Sequence, residues 1–149
     1  MLLGFIVSEH GIKANPEKIS AITRMGPIQN IKGFQRVIGC LAALSRFISC
    51  LGERGLPLYR LLKKANRFEW TSEAQEALDM VKLLLTKASI LVPPTDGESL
   101  LLYIAATMQV VSTVLVVEQE EEWHALKVQC PMYFINEVLS NSKTRYSQI

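Results

Sequence analysis

The chain has very few aspartates, one of the two residue types whose carboxylates hold hard cations. Among its 149 residues the only aspartates are Asp79 and Asp96, and the apolar run from Leu100 to Val117 holds no acidic residue. Mg²⁺ and similar hard cations are held by carboxylate oxygens. We therefore expect no cofactor and no metal-dependent active site in this chain.

Cysteine and histidine are also scarce. Cys40, Cys50 and Cys130 are an odd number without paired spacing, and His10 and His124 lie far from them. On one continuous helix Cys40 and Cys50 would be ~15 Å apart, too far for a disulfide. The pattern predicts neither a disulfide framework nor a zinc site, but three buried or half-buried thiols in a reducing compartment.

Long apolar runs are absent as well. No run reaches the ~18 residues of a membrane span, and the apolar start, Met1 to Val7, lacks a basic leader and a cleavage site. We predict an intracellular protein, cytoplasmic or nuclear, with no membrane partner and no signal peptide. The hydrophobic fraction of 49% indicates a folded chain with a core.

The two halves of the chain differ in charge. Residues 1–70 have eleven Lys or Arg and four Glu, a balance of +7, and residues 71–149 have five against ten acidic residues, a balance of −5; the sum is the net +2. A basic half favours a polyanionic partner. A merely solvated helical surface would have the same composition, so both interpretations remain open.

The first half predicts a hairpin followed by helices. Leu2–Val7 and Gly11–Lys13 resemble two short strands, and Asn15 with Pro16 begins a helix that ends near Gly26-Pro27. Asn30 caps a longer helix, predicted from Ile31 to about Leu51 and ended by Gly52. A shorter helix follows from about Leu56 to Ala65, with three residues inward: Leu58, Leu61 and Leu62.

The second half changes from helical to strand-like spacing. Thr71, or Ser72 with Gln75 as a capping box, begins a helix that runs to about Lys87. The breaker Pro93–Gly97 marks a subdomain boundary. Beyond it we predict two buried strands, 100–107 and 110–117, and a third from Trp123 or Leu126 to Ile135. The fold class is α+β.

Five blocks in order resemble the polyprotein of gypsy-type long-terminal-repeat retrotransposons, over nearly the whole chain. The resembling residues of the five blocks fall within 3–19, including Gly11-Ile12, and within 35–48, 56–64, 68–94 and 133–146. The resemblance implies a reverse transcriptase region: a primer-grip hairpin and helical thumb-like segment over 1–70, then a linker helix and the first strands of a ribonuclease H-like antiparallel sheet over 71–149.

The departures from that family concern its catalytic groups. The polymerase Asp pair is absent, and Ala105 stands at the position of the first metal-binding Asp of the nuclease, where the family would use Mg²⁺. The family's next catalytic glutamate would fall beyond Ile149. The resemblance therefore implies an incomplete, catalytically inactive fragment rather than an enzyme.

The remaining candidate site is basic. Arg60, Lys63, Lys64 and Arg67 follow helical i, i+3, i+4, i+7 spacing, and Lys32 with Arg36 forms an i, i+4 pair. In the related polymerases these regions track the template–primer backbone, which implies weak, sequence-independent contact with an RNA or DNA duplex. The primer-grip-like residues are Leu3, Gly4 and Phe5.

Two further interpretations concern exposed surfaces. Phe68 and Trp70 could stack on bases, but we favour a role in the core. We also expect the sheet to leave apolar faces open, which predicts an alternative function as a protein-interaction or self-associating module without a nucleic-acid role.

Overall fold

The structure is a computed structural model, and it describes residues 5–63, 68–120, 126–140 and 143. The elements in chain order are β1 (Phe5–Ser8), β2 (Gly11–Ala14), α1 (Pro16–Thr23), α2 (Ile31–Leu44), a 3₁₀ turn (Ser45–Phe47), α3 (Leu51–Arg54), α4 (Leu56–Lys63), α5 (Ser72–Thr86), β3 (Leu100–Ala106), β4 (Val110–Gln119) and β5 (Val128–Val138). The predicted α+β class is confirmed. None of the described helices is long and apolar enough to cross a bilayer.

The helices begin where side-chain caps predict. Asn15 accepts a hydrogen bond from the Glu17 amide, and Asn30 accepts one from the Gly33 amide. Thr71, rather than the Ser72 capping box, accepts the Ala74 amide at the start of α5. Each cap satisfies a backbone N–H that has no partner within its helix, so these three starts follow from local sequence.

The predicted single helix over 31–51 is wrong. Helix α2 ends at Leu44, the Ser45 hydroxyl bonds back to the Ala42 carbonyl at 2.9 Å, and Cys50 adopts a left-handed φ of 53°. The chain turns there and a separate helix, α3, begins. Gly52 lies inside α3, where a Cβ would approach Val110 Cγ1 to 2.6 Å, so this glycine allows α3 to lie against β4.

One core joins the helices to the hairpin. Its fully buried large side chains include Ile22, Phe34, Leu41, Leu58 and Leu78. Phe68 and Trp70 pack against Phe34, with ring centroids 5.6 and 5.9 Å away, and the predicted core role is confirmed. Helix α5 packs on α1 and α4 in this core. The proposed boundary between 70 and 71 stays a prediction.

Two expectations about burial are wrong. Leu62 is exposed, because Leu58 and Leu61 occupy the buried face of α4 and the next residue turns ~100° away from it. Strand β3 is mostly exposed rather than buried, because among the described elements only β4 packs extensively against it. All three cysteines are half-buried, as predicted, and none forms a disulfide.

The second sheet has the antiparallel order β3-β4-β5. Its register places Ala105 opposite Ser112 and Ser112 opposite Asn136. The Asn136 side-chain amide donates to the Ile48 carbonyl at 3.0 Å, which fixes the sheet to the turn between α2 and α3. Strand β5 runs to Val138, three residues beyond the predicted end, and Trp123 lies outside the described residues.

Candidate nucleic-acid interface

Lys32 and Arg36 lie one turn apart on the exposed side of α2, as their spacing predicts. Arg36 also lines a hollow of about 270 Å³ formed with the loop from Met25 to Asn30. A cation from α5 reaches the same loop, because Lys82 Nζ donates to the Met25 carbonyl at 2.8 Å. Lys82 also lies 3.6 Å from Asp79, so part of its charge is balanced locally.

Arg60 lies on the exposed side of α4. Its Nη2 donates to the side-chain oxygen of Gln109 at 2.7 Å, so the guanidinium is held at the β3–β4 turn. The side chain of Lys63 and all of Lys64 and Arg67 lie outside the described residues. Of the four residues in the predicted basic face, the structure therefore gives the side-chain position of Arg60 alone. That the other three share its face stays a prediction.

The primer-grip-like segment falls on the first hairpin. Leu3 and Gly4 lie outside the described residues, and Phe5 opens β1, opposite Ala14. Gly11 has a φ of 126°, and a Cβ there would collide with the Leu91 carbonyl oxygen. Only glycine permits this backbone and this close approach, so the hairpin lies tightly against the segment after α5.

Arg46 is a residue that sequence reasoning did not single out. Its guanidinium carbon lies 5.0 Å from the Phe5 ring centroid and 5.4 Å from that of Tyr133. Both distances suit cation–π attraction. The two rings come from opposite ends of the chain, so no local pattern could have revealed the contact. Arg46 thus joins the hairpin to β5.

The surroundings of Ala105 do not suit a divalent cation. A hollow of about 330 Å³ next to it is lined by Ser49, Cys50, Tyr103, Ile104, Ala105, Ser112, Thr113, Val114 and Phe134. These side chains offer hydroxyls, a thiol and apolar groups, whereas Mg²⁺ prefers carboxylate oxygens. Within the described ranges, no group of three His, Cys, Asp or Glu side chains is placed to hold a metal.

No protein-family model matches the chain. In sequence it is similar to the Gag-Pol polyprotein of Baboon endogenous virus (strain M7), at 27% identity over 113 residues, which are 76% of this chain and 6% of that polyprotein. It is also similar to the Transposon Tf2-3 polyprotein of Schizosaccharomyces pombe, at 24% identity over 145 residues, 97% of this chain and 10% of the polyprotein. The chain thus spans a small part of these relatives.

The fold is similar to that of solved reverse transcriptases. The foamy viral protease-reverse transcriptase in complex with dsDNA superposes with a TM-score of 0.74 at 19% identity, over 99% of this chain and 30% of that one. The same enzyme in complex with an RNA/DNA hybrid gives a TM-score of 0.74 at 20% identity, over 98% and 19%. The chain therefore has the fold of the matching part of these structures.

Proposed function

We propose that this chain is a catalytically inactive piece of a gypsy-type retrotransposon reverse transcriptase, spanning its thumb, connection and ribonuclease H-like strands, and that it contacts the backbone of a nucleic-acid duplex. The observation that carries the proposal is the likeness of 98–99% of the chain to foamy viral enzymes solved in complex with dsDNA and with an RNA/DNA hybrid. Exposed Lys32, Arg36 and Arg60 supply cations for phosphate contact.

The lining of the hollow at Ala105 supports the proposed lack of catalytic activity. Two-metal nucleases need converging carboxylates to place two cations about 4 Å apart. The described residues around Ala105 provide none. We therefore expect no Mg²⁺- or Mn²⁺-dependent cleavage of an RNA–DNA hybrid. Cleavage that persists through purification and is abolished by one substitution in this chain would contradict this.

Duplex binding is tested by titrating a labelled duplex at several salt concentrations. Each phosphate contact contributes about −0.9 to the slope of log K against log salt. We expect a negative slope and equal affinity for unrelated duplex sequences. An affinity that is independent of salt, or that depends on sequence, would contradict backbone contact.

A second candidate function is a self-associating or protein-binding module without a nucleic-acid role. It is favoured by large apolar side chains that are exposed on the second sheet, namely Leu100, Leu102, Ile104, Tyr133 and Ile135. Contiguous exposed apolar surface typically marks an interaction site. Sedimentation equilibrium over a range of concentrations tests it, and a monomer throughout would contradict self-association.

A further inference from the structure

Lys82 is a cation of α5 that is largely shielded from solvent. Its side chain is 17% exposed, whereas Lys32 and Arg36 are exposed on α2. Its Nζ donates to the Met25 carbonyl at 2.8 Å, at the start of the loop from Met25 to Asn30. We propose that Lys82 is a positioning residue, which fixes this loop and thereby places Lys32 and Arg36 for contact with a duplex. The inference rests on the proposed function and adds a residue that acts without touching the nucleic acid.

The Met25 carbonyl lies just beyond the end of α1, where the helix has no cation of its own. Helix α1 ends at Thr23, and its last turn contains no basic residue. The negative end of a helix dipole favours a nearby cation, and the last carbonyls of a helix lack partners within it. Lys82 supplies that cation from another helix, so α5 fixes the point at which the chain leaves α1.

The ammonium of Lys82 is held in turn by a row of polar side chains. Trp70 Nε1 donates to the Gln75 side-chain oxygen at 2.9 Å, and the Gln75 amide nitrogen donates to both Asp79 oxygens at 3.0 and 3.1 Å. Asp79 lies 3.6 Å from Lys82 Nζ. At the other end of the row, the Trp70 ring packs edge-on against Phe34 of α2. This row therefore reaches α2 at one end and the loop before α2 at the other.

The loop from Met25 to Asn30 determines the surroundings of the α2 cations. It forms the hollow that Arg36 lines, and its last residue caps α2 through the Gly33 amide. Because the loop both begins the helix and lies beside the guanidinium, a shift of the loop would change where Lys32 and Arg36 meet a phosphate backbone. Phosphate contacts depend on such placement, since they set the register of a protein on a duplex.

Asp79→Ala distinguishes positioning from simple charge. The loss of an acidic side chain should by itself strengthen attraction to a polyanion. If Asp79 holds Lys82 on the loop, the variant should instead bind duplex roughly threefold to tenfold more weakly, the scale on which residues without ligand contact modulate binding. Glu76→Ala, which removes an exposed carboxylate one turn earlier on α5, is the matched control and should not weaken binding. Equal or tighter binding by Asp79→Ala would overturn the inference.

Lys82→Met removes the ammonium and keeps most of the apolar stem. We expect it to weaken duplex binding in the wild-type chain, but by less than about twofold once Lys32 and Arg36 are both Ala, because a residue that acts through others loses its effect with them. In that background the salt slope should stay unchanged, whereas a direct phosphate contact by Lys82 would contribute about 0.9 to it. The same loss of affinity in both backgrounds would overturn positioning.

Amide hydrogen exchange in the absence of nucleic acid tests the loop by itself. We expect Lys82→Met and Asp79→Ala to speed exchange within residues 25–33 and to leave the rest of α2 unchanged, since only the loop loses its contact. Unchanged exchange there in both variants would overturn the inference. The Asp79 side chain is 59% exposed, so Asp79→Ala should fold and provides the decisive comparison if Lys82→Met unfolds.

Two outcomes distinguish this inference from the proposed function on which it rests. A wild-type chain without salt-dependent duplex binding overturns both. A wild-type chain that binds duplex, with an affinity that neither Lys82→Met nor Asp79→Ala weakens, leaves the proposed duplex contact and overturns the positioning role of Lys82.

Discussion

Arg46 and Phe5 form a cation–π contact between the turn after α2 and the first strand, with the guanidinium carbon 5.0 Å from the ring centroid. The same guanidinium lies 5.4 Å from the Tyr133 ring on β5. One half-buried cation therefore links the N-terminal hairpin, the helices and the second sheet. Its substitution should affect all three.

Arg46→Met keeps much of the side-chain volume and removes the charge. We expect it to lower the free energy of unfolding by about 1–2 kcal/mol, since partly desolvated cation–π pairs contribute on that scale. Urea unfolding followed by circular dichroism measures the loss. Arg54→Met, on the exposed side of α3, is the control and should change stability by less than about 0.5 kcal/mol. Equal losses in both variants would show that the aromatic contacts contribute nothing specific.

Gly11→Ala tests the close approach of the hairpin to Leu91. The positive φ and the carbonyl oxygen in the path of a Cβ should together cost about 2–3 kcal/mol. Gly39→Ala is a control for which we expect the opposite effect on stability. Gly39 lies within α2 with open space at its Cβ position, so alanine should stabilise the helix by about 0.5–1 kcal/mol. Thermal unfolding of both variants checks the pair. An unchanged melting temperature for Gly11→Ala would contradict the described contact.

The basic side chains of α2 offer a test of duplex contact. We expect the double variant Lys32→Ala, Arg36→Ala to weaken duplex binding and to reduce the salt slope by about 0.9 for each phosphate contact that is lost. Fluorescence anisotropy of a labelled duplex measures both quantities. Lys87→Ala, an exposed lysine at the end of α5, removes one charge outside the candidate site. If Lys87→Ala weakens duplex binding as much as the double variant does, the attraction is nonspecific.

Tyr59 predicts a pH dependence of stability. Burial raises the pKa of its hydroxyl above the ordinary value near 10, because the buried site disfavours the phenolate. The folded state then binds the proton more tightly than the unfolded state. This stabilisation is complete below about pH 10 and is lost as the pH rises through the raised pKa.

The comparison with Tyr59→Phe isolates that contribution. We expect the difference in unfolding free energy between wild type and variant to be constant from pH 7 to 9. Above pH 10 the wild type should lose stability relative to the variant. Urea unfolding across this range measures it. A difference that stays constant to pH 11.5 would contradict the raised pKa.

Local sequence chemistry predicted the helix starts but not the path between them. Asn15, Asn30 and Thr71 cap helices through hydrogen bonds to amides two or three residues away, so their effect is visible in sequence. The end of α2 at Leu44 could not be predicted in this way. Beyond it, the buried residues Phe47, Ile48 and Leu51 still follow one another at helical spacing, although the chain there is no longer one helix. Apolar periodicity alone could not distinguish one long helix from two.

The candidate site was predictable to a similar extent. Helical spacing correctly placed Lys32 and Arg36 together on α2, because neighbours on a helix are fixed by its geometry. The contact of Arg60 with Gln109, and the position of Arg46 between two rings, depend on how separate elements pack. The exposure of β3 likewise depends on which described elements pack against it, and its apolar sequence does not disclose this.

The bridge between Ile12 and Leu91 has a consequence for the architecture of the chain. Their amides and carbonyls are joined by two hydrogen bonds of 2.8 and 2.9 Å, so the helical segment between them starts and finishes at neighbouring points. A segment whose ends meet can be moved into a surface loop of another protein without stretching its host. Residues 12 and 91 therefore hold the two ends of the helical segment together, and we expect a protease cut within one of its loops to leave the two pieces associated through this bridge and the shared core.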